Sequence, residues 1–172
     1  MARVKALDDL LVEELRTGLA VEQATVPLLS SFLLDVDDCQ LANGLRRHRA
    51  ETEEHVRNVA SALRILGAEA VAGACPALDG LRREHELALG TLDPQARPEI
   101  KDLVVAGSGA RIEAYELALY ESIVPQAELL GEDDVGELLG RNLESERAML
   151  DQDIHVAGRL AREVADTPPS IR

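Results

Sequence analysis

His48-Arg49-Ala50-Glu51-Thr52-Glu53-Glu54-His55 sets two imidazoles and a carboxylate where a long helix should be apolar. On one side of it stand Leu41 and Leu45, on the other Val59, Ala62, Leu63 and Leu66. That spacing of three and four marks the buried stripe of an amphipathic helix. His48, Thr52 and His55 continue the stripe and Glu51 flanks it. Buried unpaired, such groups cost several kcal/mol, so they must be exposed, hydrogen-bonded or holding something.

The same 3.6-residue period runs through the rest of the chain, and no segment alternates apolar and polar over a strand's length. The chain therefore reads as all-α. A first helix is predicted from about Leu7 to Leu34, with the stripe Leu11, Leu15, Leu19, Glu22, Val26, Leu29 and Phe32. Asp35-Val36-Asp37-Asp38 breaks it, and its acids suit the positive N-terminal end of a second helix reaching Leu66-Gly67. Residues 67–79 are small and irregular, and a short amphipathic piece follows from Leu81 to Leu89. A third long helix is predicted over Pro98–Leu130, with Leu103, Ala106, Ala110, Glu113, Leu117, Tyr120, Val124 and Ala127 on one face. After Gly131-Glu132-Asp133-Asp134, a fourth runs to Ala165 with Leu139, Leu143, Glu146, Leu150, Asp153, Ala157 and Leu160 aligned. Pro27 and Pro125 lie inside two of these helices, each expected to kink or shift its helix locally. Two helical hairpins joined by a long connection make a four-helix bundle over residues 1–166, with 167–172 a flexible tail.

Composition narrows the function. At 172 residues and 46% apolar content, one domain with a real core is the expectation. A net charge of −14 argues against nucleic acid or an anionic membrane as a partner. No stretch of about 18 apolar residues and no signal-peptide core are present, which predicts a cytoplasmic protein. Cys39 and Cys75 are then not expected to form a disulfide, and are read as small buried or half-buried residues. His85-Glu86 lacks the second histidine of a zinc-protease helix, since position 89 is Leu. Gly107-Ser108-Gly109 lacks the strand and lysine of a phosphate loop and is better suited to close helix contact.

An acid stands in each of the four stripes where a leucine belongs: Glu22, Glu51 beside His48 and His55, Glu113 with Glu116 one turn on, and Glu146. Carboxylates gathered in a low-dielectric core repel one another unless protons or cations compensate them. Two divalent metals do this naturally. Residues three and four apart share a helix face, so each set can converge on one point. The mixture of carboxylate and imidazole suits iron or manganese, with zinc as the remaining alternative. The competing reading is a seam of hydrogen-bonded polar residues that sets the bundle's register. Tyr120, two turns after Glu113, is placed to hydrogen-bond a ligand carboxylate, or else is an ordinary core aromatic. Tyr115 is read as off the seam, and His155 as a surface histidine.

The pattern resembles the YciE/YciF family of ferritin-like proteins, stress-associated bacterial four-helix bundles. The resemblance rests on Ala20-Val21-Glu22, Glu51-Thr52-Glu53-Glu54-His55, Cys75-Pro76-Ala77-Leu78-Asp79-Gly80-Leu81, Ile112-Glu113-Ala114-Tyr115-Glu116-Leu117-Ala118-Leu119-Tyr120 and Leu143-Glu144-Ser145-Glu146-Arg147-Ala148. It spans nearly the whole chain. In the wider ferritin and rubrerythrin superfamily such residues bind two irons and react with dioxygen or peroxide. The resemblance thus implies Glu22, Glu51, His55, Glu113, Glu116 and Glu146 as metal ligands, with His48 an outer partner or alternative ligand. A homodimer or higher homo-oligomer is the expected assembly. Two departures stand out: Ala114 where the family usually has His, and Met149-Leu150 where a second ligand on the fourth helix is expected. Asp153, a turn further, reads as too distant to replace it. The thinner fourth helix leaves open a non-enzymatic stress or interaction protein with a degenerate site.

Overall fold

In a computed structural model, which describes residues 4–166, the chain forms five helices and no strand among those residues. They are α1 (Leu7–Asp35), α2 (Cys39–Ile65), α3 (Pro76–Gly90), α4 (Pro98–Leu130) and α5 (Asp133–Asp166). The four long helices fall within one or two residues of the boundaries read from periodicity. The short helix does not: it begins at Pro76, five residues earlier than the predicted Leu81. Pro76 occupies the first turn, where the missing N–H costs nothing and the fixed φ is already helical. The run of alanine and glycine before it concealed that start. Both α1 and α4 run on through Pro27 and Pro125. The predicted flexible tail, 167–172, lies outside the described residues.

α1 pairs with α2 and α4 with α5, and the square is closed by α1 against α4 and α2 against α5. α1 and α4 are antiparallel, because Glu22 meets Tyr120 whereas Thr25, further along α1, meets Glu116, further back on α4. α3 lies across the outside, mainly on α4. The ends are fixed by local chemistry. Asp38 caps α2 by accepting from the Leu41 N–H at 2.8 Å, and Gly131 adopts φ 74°, the left-handed conformation that lets α4 turn into α5 within two residues.

Two apolar clusters fill the bundle. One comprises Leu28, Leu29, Phe32, Leu41, Leu45, Val105, Ile112 and Val156 among others. The second holds Leu11, Leu15, Leu19, Val59, Leu63, Ile123, Val135 and Leu139. Between them, at mid-height, lie the polar residues of the four stripes. α1 is long and apolar enough by composition to cross a membrane, yet its buried residues, Glu22 among them, are part of this core.

One polar clamp ties the hairpins together. Asp102 of α4 is buried, and its two carboxylate oxygens accept the backbone N–H groups of Asp37 (2.8 Å) and Asp38 (2.9 Å) in the α1–α2 turn. Arg159 of α5 reaches the Asp38 carboxylate at 2.9 Å from the other side. Replacing Asp102 by Ala strands two N–H groups, a loss of about 2 kcal/mol. For a domain of this size that lowers the melting temperature by about 4–8 °C, measurable by circular dichroism.

Candidate metal centre

The polar layer is sealed. Glu22, His48, Thr52, Glu113 and Glu146 are fully buried, and Glu116 and His55 nearly so. They arrive from all four long helices because each sits on its helix's inward face, at the level where the apolar stripes stop. Two groups of ligand atoms converge. His48, Glu113, Glu116 and Glu146 form one, and Glu22, His55 and Glu146 the other, each with its donor atoms within 4.8 Å of one another.

Glu146 belongs to both. Its Oε1 lies 2.6 Å from His55 Nδ1 and its Oε2 3.7 Å from His48 Nε2. His48 Nε2 also lies 3.1 Å from Glu113 Oε2, and His55 Nδ1 3.5 Å from Glu22 Oε2. An outer ring of hydrogen bonds holds this arrangement. Thr25 donates to Glu116 Oε1 at 2.8 Å, and the Tyr120 hydroxyl donates to Glu22 Oε1. Asn142 in turn donates to the Tyr120 oxygen at 2.9 Å, while its own carbonyl accepts from Asn58 at 2.8 Å. Thr52 donates back to the His48 carbonyl at 2.9 Å, so its hydroxyl serves its own helix.

The inner atoms face only one another, and none makes a hydrogen bond of good geometry. Among them are Glu22 Oε2, His48 Nε2, His55 Nδ1, both oxygens of Glu113 and of Glu146, and Glu116 Oε2. Buried polar atoms in this number are exceptional in a folded protein. Their charges are distributed accordingly. Burial pushes the Glu113 and Glu116 carboxyls well above the usual range; the imidazolium of His48 only partly offsets this for Glu113, and Glu146, Glu22 and Glu113 add to it for Glu116. Glu22 is raised by burial too, against hydrogen bonds from His55 and Tyr120. His48 and His55 resist burial through their carboxylate partners. Glu113 above all holds His48 well above its ordinary value, and Glu146 and Glu22 bring His55 to about 9. Glu146 overcomes burial through the two imidazoles and sits low. Without metal, the shifts of Glu22, Glu113, Glu116, His48 and His55 all favour their protonated forms.

A family model described as a domain of unknown function, DUF892, matches residues 6–165. The chain belongs to the DUF892 family. Protein YciF of Escherichia coli K12 is 23% identical over 151 residues, covering 84% of this DUF892 chain and 86% of that protein. Among solved structures, YcfI from Rhodopseudomonas palustris superposes with a TM-score of 0.84 at 28% identity, over 90% of this chain and 97% of that one. The E. coli stress protein YciF gives 0.85 at 20% identity, over 93% and 99%. The YciF-like helical bundle expected from the quoted motifs is thereby shown.

Of the ligands anticipated from sequence, this DUF892 chain brings five together: Glu22, His55, Glu113, Glu116 and Glu146. Glu51 is not among them. Its side chain is 40% exposed and meets Arg47 Nε at 3.6 Å and His48 Nδ1 at 3.7 Å. One residue of helical rotation places Thr52, not Glu51, on the inward face, and His48 takes the inner position. Tyr120 is where the seam placed it, fully buried on Glu22. Ala114 is exposed, so its departure from the family pattern does not touch the interior. Met149 is buried and brings a thioether to the α5 face. Cys39 is exposed rather than buried, because it starts α2 on the outside; Cys75 is half-buried, its thiol 3.6 Å from the Tyr115 hydroxyl. His85 is buried against Phe32 and Ser108, and His155 is exposed.

Thr25, Asn58 and Asn142 are not among the residues singled out from sequence, and Asp153 figures there only as a stripe residue too distant to be a ligand. The first three are at i+3, i+3 and i−4 from Glu22, His55 and Glu146, a signal that helical spacing carries and that attention to charged residues overlooked. Asp153 is fully buried on α5 with both oxygens unpartnered, pressed against Gly109 of α4, where a Cβ would collide with it. Burial lifts its carboxyl to about 7. Its folded pKa thus exceeds the unfolded value, so the native state holds the proton and loses stability as pH rises from about 4 to 7. Asp153→Asn is expected to be more stable than wild type by about 2–4 kcal/mol at pH 8 and equal to it near pH 4, read from urea midpoints of the metal-free protein.

Proposed function

We propose that this chain is a stress-associated ferritin-like protein that binds two divalent ions, iron or manganese, and that acts on dioxygen or peroxide or handles iron. The observation that carries the reading is the sharing of Glu146 between two groups of buried donors that have no other partner. Four carboxylates and two neutral imidazoles balance the charge of two divalent ions, which a register-setting polar seam does not require. That the similar E. coli protein YciF is a stress protein supports the cellular setting.

His48, Glu113, Glu116 and Glu146 would hold one ion, and Glu22, His55 and Glu146 the other. Bound iron or manganese supplies electron-transfer chemistry toward dioxygen or peroxide. The chain's own part is orientation and exclusion. Tyr120 and Thr25 fix one oxygen of Glu22 and of Glu116 and aim the other inward, as outer hydrogen bonds do in metal sites. The apolar clusters above and below keep bulk water away. Tyr120 also presents a hydroxyl proton whose loss burial strongly opposes, so it stays a donor to Glu22. A second reading, a non-enzymatic stress or interaction protein with a metal-poor site, is favoured by Met149 standing one turn beyond Glu146 in place of a nitrogen or oxygen donor.

Metal analysis after purification from iron- or manganese-supplemented medium separates them. Two ions per chain are expected, falling below one in Glu146→Ala, since that residue serves both groups; less than about a tenth of an ion in wild type overturns the proposal. Tyr120→Phe should bind about ten-fold more weakly with its helicity intact.

Binding must also expel the protons that the metal-free ligands favour. Affinity is therefore expected to rise with pH through the range around 9 in which His55 gives up its proton. Calorimetric titration in buffers of different ionisation enthalpy measures the release, and a pH-independent affinity would contradict it.

A further inference from the structure

Between α2 and α5 lies a recess of about 80 Å3, lined by Arg47, Glu51, Ser145, Ala148 and Met149. That volume is about that of two or three waters at about 30 Å3 each. Its position is defined by the residues next to its walls. Glu51 is three residues from His48, and Ser145 precedes Glu146, so the recess is the outer face of the first ligand group.

The His48 ring connects the two sides. Its Nδ1 lies 3.7 Å from Glu51 Oε2 in the recess, and its Nε2 lies 3.1 Å from Glu113 Oε2 within. The ring is fully buried, and Nδ1, like Nε2, has no hydrogen-bond partner. Glu51 therefore puts a half-exposed carboxylate beside a buried imidazole whose far edge already belongs to the inner group. On the α5 side the wall is made of small or flexible side chains, Ser145, Ala148 and Met149. Arg47 lies across the opening, its Nε 3.6 Å from Glu51 Oε1 and its Nη2 donating to Gln152 of α5.

We propose that this recess is a capture site for a hydrated divalent cation and the port by which such ions reach the buried groups. Glu51 is the first ligand, met while the ion still carries water, which the recess has room for. His48 is the ring past which the ion enters, trading contact with Glu51 for contact with Glu113 and Glu146. Arg47 is a resident positive charge that the incoming ion displaces from Glu51. The size of the recess suits a small ion that has shed part of its water. The proposal rests on the metal-binding reading above, and gives Glu51 a role that its place outside both ligand groups leaves open.

The test is the rate of cobalt(II) uptake by the metal-free, full-length chain, followed by stopped-flow visible absorption, with final stoichiometry measured separately. Glu51→Gln is expected to take up two ions per chain at about one tenth of the wild-type rate. Arg47→Ala should be faster by about three-fold. Glu53→Gln makes the same charge change on an exposed position of the same helix and should match wild type. A Glu51→Gln rate within about two-fold of wild type, or slowed no more than Glu53→Gln, overturns the port while two bound ions uphold the metal reading. Loss of an ion from Glu51→Gln also overturns it, by making Glu51 an inner ligand. If wild type takes up no cobalt, both readings fall.

Discussion

Four carboxylates sealed between two apolar layers cannot all be charged unless something positive is sealed in with them. That constraint orders the centre of the molecule. Glu146 answers it by standing between two imidazoles, one toward each end of its carboxylate, and so remains ionised at full burial. Glu113 and Glu116, with less compensation, have their carboxyls pushed well above the usual range by burial. Thr25 and Tyr120 occupy one oxygen of Glu116 and of Glu22, Asn142 and Asn58 hold Tyr120 in turn, and the other carboxylate oxygens of the layer are left bare. A bundle evolved only for stability would gain by replacing such a layer with packed hydrophobic side chains. The arrangement is intelligible as a site whose stability is spent on holding ligands ready.

The rest of the architecture supplies what such a layer needs. To this layer α1 and α5 bring one inward acid each, α4 brings two and α2 brings two imidazoles, and the antiparallel hairpins set them at a common height. The apolar clusters above and below contribute the burial that offsets the cost of the polar middle. Asp102 and Arg159 clamp the α1–α2 turn to α4 and α5, so that the two hairpins keep their register. Gly109 shows how close the fit is on the α4–α5 side, since only the absence of a side chain there makes room for the Asp153 carboxylate.

The four long helices and the inward acids of three of them were legible in sequence because they obey one rule, the 3.6-residue period. What that rule does not decide is which polar residues on or beside a stripe serve as ligands. The period itself puts His48, Thr52 and His55 on the α2 stripe with Glu51 beside it, and the structure keeps that order; the expectation of one acid per helix puts Glu51 among the ligands, and His48 fills that place instead. The same blindness hid Asn58 and Asn142, whose neutral amides carry no charge to draw notice although they stand in register with His55 and Glu146. The early start of α3 was masked by a small-residue run, where propensity is weak and the proline at the first turn becomes meaningful only once a helix is known to follow. Asp153 was passed over for its distance from Glu146, and the structure shows it buried in its own right.

The central claim is that Glu146 is shared between two metal positions. Anomalous diffraction from a crystal of the wild-type protein loaded with manganese, collected on the high-energy side of the manganese edge, tests it most directly. The account predicts two anomalous peaks, one among His48, Glu113, Glu116 and Glu146 and the other among Glu22, His55 and Glu146, on either side of that carboxylate. A fully loaded crystal with no peak in this layer, or with a single peak that Glu146 does not touch, would contradict it.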